Sequence, residues 1–75
     1  MMEISIKDKQ ILRIALNEIT GFSFYPISVI NNLNEYYFIC KAKSIIENLK
    51  INLVKIYIKV HEKSGPILLS IEEIE

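Results

Sequence analysis

The stretch YYFICKAKSIIENL, residues 36–49, decides which fold this chain adopts. Its first half is aromatic and β-branched, the composition of a strand. Neighbours in a strand point to opposite faces. Tyr36, Phe38 and Cys40 then share one side, and Tyr37, Ile39 and Lys41 the other. Lysine is costly to bury, so the row of Lys41 is assigned to an open face. Tyr36, Phe38 and Cys40 are assigned to the core, with Cys40 as a packing residue. The second half reads as a short helix over Ser44 to Leu49. Ser44 and Glu47 have capping-box spacing, and Ile45, Ile46 and Leu49 make an apolar stripe. The alternative is one long helix over residues 27–49, started by Pro26. The aromatic run and the asparagine-rich breaks favour strand, turn, strand and helix.

Outward from this stretch the elements are short. MEISI (2–6) alternates and predicts a first strand. Asp8 is placed as the cap of a helix whose apolar face is Ile11, Leu12, Ala15, Leu16 and Ile19. Lys9, Gln10, Arg13 and Asn17 lie on its other face, and Gly21 suits the helix stop. FSFYPISVI (22–30) predicts a strand in which Pro26 marks an edge position or a bulge. NNLNE (31–35) is a turn.

The last third alternates strictly. Val54, Ile56, Ile58 and Val60 face one way, and Lys55, Tyr57, Lys59 and His61 the other. HEKSGP turns the chain, and ILLSI (67–71) returns. Pairing Val60 with Ile67 sets Ile58 against Leu69, Ile56 against Ile71 and Lys55 against Glu72. Hydrophobic pattern and cross-strand charge agree on that register. The expected order is β-α-β-β-α-β-β. This is a single α+β domain over residues 1–75, a two-layer sandwich of ferredoxin-like order plus a C-terminal hairpin strand. Two helices would cover one face of an antiparallel sheet and leave the other open.

Composition narrows the chemistry. A chain of 75 residues buries only about 60% of its unfolded surface, and its core supplies roughly 3–5 kcal/mol. One cysteine excludes an intrachain disulfide. Cys40 and His61 alone cannot make a structural zinc site, so no metal and no cofactor are expected. The 51% hydrophobic content gives a dense core and a sticky surface. Basic and acidic side chains number nine each, so long-range attraction to nucleic acid or membrane is weak. Residues 1–60 carry eight basic side chains against five acids, and residues 61–75 one against four. No apolar run reaches the eighteen or more residues of a membrane span, and the N-terminus lacks a signal pattern. A soluble, cytoplasmic protein is the expectation, and the single thiol suits a reducing compartment.

Catalytic readings fare poorly. His61, Glu62 and Ser64 share a tight turn, which cannot align nucleophile, base and orienter. Cys40 lacks an activating neighbour in sequence. SGP (64–66) is too short to cradle a phosphate, and IEEIE (71–75) lacks calcium-loop spacing. An enzyme is not expected.

Two resemblances bear on binding. YYFI, through Tyr36, Phe38 and Ile39, resembles a fragment of the aromatic signature of the RNA-recognition motif. It implies base stacking on the sheet, helped by Lys55, Tyr57 and Lys59. Residues 37–72 resemble the later part of a domain of sliding clamps of the proliferating-cell-nuclear-antigen type. There a strand leads to a helix, a strand, a proline-ended turn and a return strand. That resemblance implies DNA contact through basic helices, with Lys9, Arg13, Lys43 and Lys50 as the contacting residues.

The favoured reading is a non-enzymatic interaction or assembly module. Tyr37, Ile39, Lys41, Lys55, Tyr57 and Lys59 form its binding face, and a homodimer or a protein partner is expected through that face or a sheet edge. Nucleic-acid binding is the alternative, and no membrane association is expected.

Overall fold

The computed structural model describes residues 4–46 and 51–75. Its order is one helix followed by four strands. They are α1 (Ile6–Ala15), β1 (Phe22–Asn32), β2 (Glu35–Ser44), β3 (Ile51–His61) and β4 (Gly65–Glu73). The strands pair antiparallel in chain order, β1-β2-β3-β4. Each joins its sequence neighbour, as short connections allow only between antiparallel strands.

The ferredoxin-like order with two helices is therefore corrected to a meander carrying one helix. The predicted first strand gives way because Ser5 caps α1, in place of Asp8. Ser5 Oγ accepts from the Asp8 N–H at 3.0 Å, and the Asp8 carboxylate accepts from the Ser5 N–H at 3.3 Å. This capping box satisfies two otherwise orphaned donors and draws Ile6 into the helix. Met2 and Glu3 of that predicted strand lie outside the described residues. Ile4 packs against the core from outside any strand.

The predicted second helix fails at its first residue. Ser44 ends β2 opposite Phe22. The Ile45 N–H donates to the Gly21 carbonyl at 2.9 Å, so strand pairing outlasts the residue predicted to cap a helix. Ile45 and Ile46 bend away exposed. Glu47 to Leu49, the rest of that predicted helix, and Lys50 lie outside the described residues. The long-helix alternative over residues 27–49 is excluded by the same pairing.

The middle of the sheet follows its sequence closely. Tyr36, Phe38, Cys40 and Ala42 of β2 are buried beside Val54, Ile56 and Ile58 of β3. Ile11, Leu12 and Leu16 of α1 close over this layer, with Leu16 as the C-cap. The helix is shorter than predicted and ends before Ile19. Gly21, with φ +89°, serves the entry to β1 and not the helix stop. α1 lies toward β4, so it covers the inner face unevenly.

Both outer strands are irregular. β1 is an edge strand, and its register shifts between Pro26 and Ser28, where a proline can donate no ladder bond. The shift sets Pro26 and Val29 on the inner face, and Ser28 and Ile30 on the outer. β4 pairs Lys55 with Glu72 and Ile56 with Ile71 as predicted. It then shifts by one residue at Leu69. Ile58 faces Leu68, Lys59 faces Ile67, and Val60 faces Pro66. The predicted pairs Ile58–Leu69 and Val60–Ile67 are thereby overturned. A proline at position 66 and three consecutive apolar residues, Ile67 to Leu69, break the two-residue period. Ile67, predicted to face the core, joins the outer row of Lys59.

Candidate functional site

The outer face of the sheet carries no helix among the described residues. Alternation puts Glu35, Tyr37, Ile39, Lys41 and Lys43 of β2 on it, and Leu53, Lys55, Tyr57 and Lys59 of β3. At its centre Tyr37 and Tyr57 are direct cross-strand partners. Their rings stack with centroids 4.7 Å apart and planes within 7°. Both hydroxyls donate to the same oxygen, Glu35 Oε1, at 2.8 Å from Tyr37 and 2.7 Å from Tyr57.

This triad has a clear electrostatic signature. The hydrogen bond from Tyr57, then that from Tyr37, holds the Glu35 carboxyl below its ordinary range, with a further contribution from Lys59. Reciprocally, the bond to Glu35 raises the Tyr57 hydroxyl well above the usual tyrosine value, and its link to Tyr37 adds to the shift. Two fixed donors on one carboxylate oxygen leave the rings little freedom to rotate. The stack is a flat aromatic plate.

Apolar side chains surround it. Ile30 lies beside Tyr37 on β1. Ile39 lies beside Lys55, and Ile67 beside Lys59. Lys59 sits opposite Glu35, and Lys55 opposite Glu72, so each has a carboxylate across the strand. Lys41 and Lys43 stand farther along, with Tyr25 and Ser23 as their β1 neighbours.

All six residues predicted for the binding face thus share one surface. Glu35, Ile30 and Ile67 were missed by sequence reasoning. Pro26 and Pro66 were the available signals, since a proline within a paired strand warns of a change of face. The residues implied by the clamp resemblance are not brought together. Lys9 and Arg13 stand on α1, on the inner side of the sheet, while Lys43 lies on the outer face and Lys50 outside the described residues. The RNA-recognition resemblance fares similarly. Tyr36 and Phe38 stack at 6.2 Å beneath α1 and are buried, which leaves Ile39 as its one residue on the open face.

Cys40 is fully buried, and burial pushes its thiol up to about 11. A thiol so placed is a packing group, not a nucleophile. His61 is exposed at the β3–β4 turn. Among the described residues, no three His, Cys, Asp or Glu side chains gather as a metal site, and no helix is long and apolar enough to cross a membrane. Comparison with known protein families, with curated proteins and with solved structures gives no match.

Proposed function

We propose that this protein is a non-enzymatic assembly module that pairs with a second copy of itself through the open face of its sheet. The observation that carries the reading is the Tyr37–Tyr57 plate, hydrogen-bonded to Glu35 and flanked by Ile30, Ile39 and Ile67. Tyrosine and aliphatic side chains of this kind fill the centres of protein interfaces. Four strands of about ten residues present a face roughly 19 Å by 33 Å, about 600 Å² in projection. Two such faces in contact bury about 1,200 Å², the lower bound of a stable specific interface. Glu35 enters such an interface with its charge already bonded to two hydroxyls, which limits the cost of burying it. Lys41 and Lys43 lie toward one end and reach solvent at the rim. A reducing compartment such as the cytoplasm suits a chain whose one cysteine is free.

Light scattering on the purified chain tests the proposal. A mass near twice 8.7 kDa at micromolar concentration is expected. Ile39→Glu with Tyr57→Lys should reduce it to the single-chain mass with the strand signal in circular dichroism kept. A wild-type chain that stays single at these concentrations would sink the idea.

A second reading rests on the four lysines, Lys41, Lys43, Lys55 and Lys59, that share this face with tyrosines. Single-stranded nucleic acid can stack on rings and track cations in that way. The carboxylate of Glu35 at the centre disfavours it. A low-salt gel shift lost on Lys55→Glu with Lys59→Glu would establish it in place of self-association.

A further inference from the structure

The inner side of the sheet holds a second surface with different chemistry. Because α1 lies toward β4, a groove of about 530 Å³ opens between the helix and β1. Leu12 and Leu16 form one wall, and Phe22, Phe24 and Pro26 the other. Its volume falls in the usual range of small-molecule sites. A smaller depression of about 280 Å³ shares Ile19, Phe22 and Phe24 with it and runs on to Val54 and Ile71. The apolar trough is therefore longer than either depression alone.

Charge marks one side of it. Lys9 and Arg13 are four residues apart on α1 and so lie on one helical face, and both line the groove. No carboxylate lines it among the described residues. The larger depression is hydrocarbon with two cations at its border, while Glu73, which accepts a hydrogen bond from Asn52 at 3.3 Å, lines only the smaller one. An amphipathic anion with its head group at the larger depression complements that arrangement.

The lining also decides the type of anion. A bound peptide brings backbone N–H and C=O groups that need partners. The groove walls offer almost none, Asn17 being its one uncharged polar side chain. Nor can a peptide readily pair along β1, where Pro26 and the register shift interrupt the ladder. An acyl chain has no such groups to satisfy. We propose that this groove binds a single-chain fatty carboxylate, its chain along Leu16, Phe22 and Phe24 and its head group at Lys9 and Arg13.

The site lies across the sheet from the proposed self-association face, so the two readings fail separately. The test uses the whole chain and cis-parinaric acid, a fluorescent fatty acid, below its micelle concentration. Saturable binding of one probe per chain is expected, displaced by hexadecanoate. Hexadecan-1-ol, which lacks the charge, should compete at least about tenfold less well, the worth of one charge-assisted contact. Lys9→Glu with Arg13→Glu should weaken the probe by a similar factor, with circular dichroism and mass by light scattering unchanged. Lys55→Glu with Lys59→Glu, on the opposite face, should leave binding as it was. Equal competition by acid and alcohol, or indifference to the Lys9 and Arg13 changes, would overturn the proposal. So would an absence of saturable binding, or binding confined to phosphatidylglycerol vesicles.

Discussion

The two faces of β2 differ by one residue of register and in almost every other respect. On the inner face Tyr36, Phe38, Cys40 and Ala42 are buried under α1. On the outer face Tyr37, Ile39, Lys41 and Lys43 meet no second layer among the described residues. Tyr36 and Tyr37 are adjacent and chemically identical, yet Tyr36 is sealed in the core and Tyr37 is held upright by Glu35. The inner row holds the domain together, and the outer row belongs to the proposed contact face. The strand serves both ends because its period of two keeps them apart.

The largest effect should come from breaking the inner row. Phe38→Ala removes a fully buried ring, at a cost of about 3–5 kcal/mol. That matches the whole stability expected of so small a core, so urea titration should find the variant mostly unfolded. Tyr37→Ala, its neighbour on the outer row, should keep the fold and lose the proposed self-association, read by circular dichroism and light scattering. A strongly destabilised Tyr37→Ala would erase the proposed division of labour between the faces.

Cys40→Ser sharpens the contrast at a smaller scale. A hydroxyl in that buried position lacks an obvious partner, and the loss should be about 1–3 kcal/mol in denaturant unfolding. The native thiol should react with a disulfide reagent only as fast as the chain opens. Rapid modification of the folded protein would contradict its burial.

A change outside both rows should act in the other direction. Leu33, in the β1–β2 turn, holds φ at 58°, a conformation costly for a residue with a Cβ. It is 87% exposed, so its side chain contributes little packing. Leu33→Gly should raise stability by about 1 kcal/mol, seen as a higher thermal midpoint.

The smallest effects should be those of pH on the outer row. The Glu35 carboxyl is lowered by folding. Its contribution is present above the ordinary carboxylate value of about 4.3 and is lost as pH falls through the lower folded value. The Tyr57 hydroxyl is raised. Its contribution is present below the ordinary tyrosine value of about 10 and is lost as pH rises through the raised one. Near-ultraviolet circular dichroism should report loosening of the stack at both limits, and Glu35→Gln should abolish the acid transition. An acid transition that survives Glu35→Gln would assign it to another group.

The same contrast separates what could be read in the sequence from what could not. The alternation of residues 36–41 and 54–60 assigned the faces of the two central strands correctly, because strands flanked on both sides obey a strict period. The irregular outer strands escaped that rule. Nothing in Ile67 to Leu69 says which of three apolar neighbours turns outward, since that depends on where a bulge relieves Pro66. The helix errors arose from local signals in competition. Ser5 and Asp8 form a better cap than Asp8 alone, and Ser44 has helix-start spacing but pairs with Phe22 of β1. Glu35 was legible only as a turn residue, because its role arises from two tyrosines that pairing brings within reach, one of them 22 positions away.

The paired irregularities at Pro26 and Leu69 bear on how an assembly of this chain would end. Sheets that join edge to edge leave a new edge after every addition and grow into fibres. Here both terminal strands are kinked out of ladder geometry, so neither offers a regular template for the next copy. A face is used up when it is covered, and a pair related by a two-fold axis has none left. The flaws in the border strands thus favour a counted, finite assembly over an endless one.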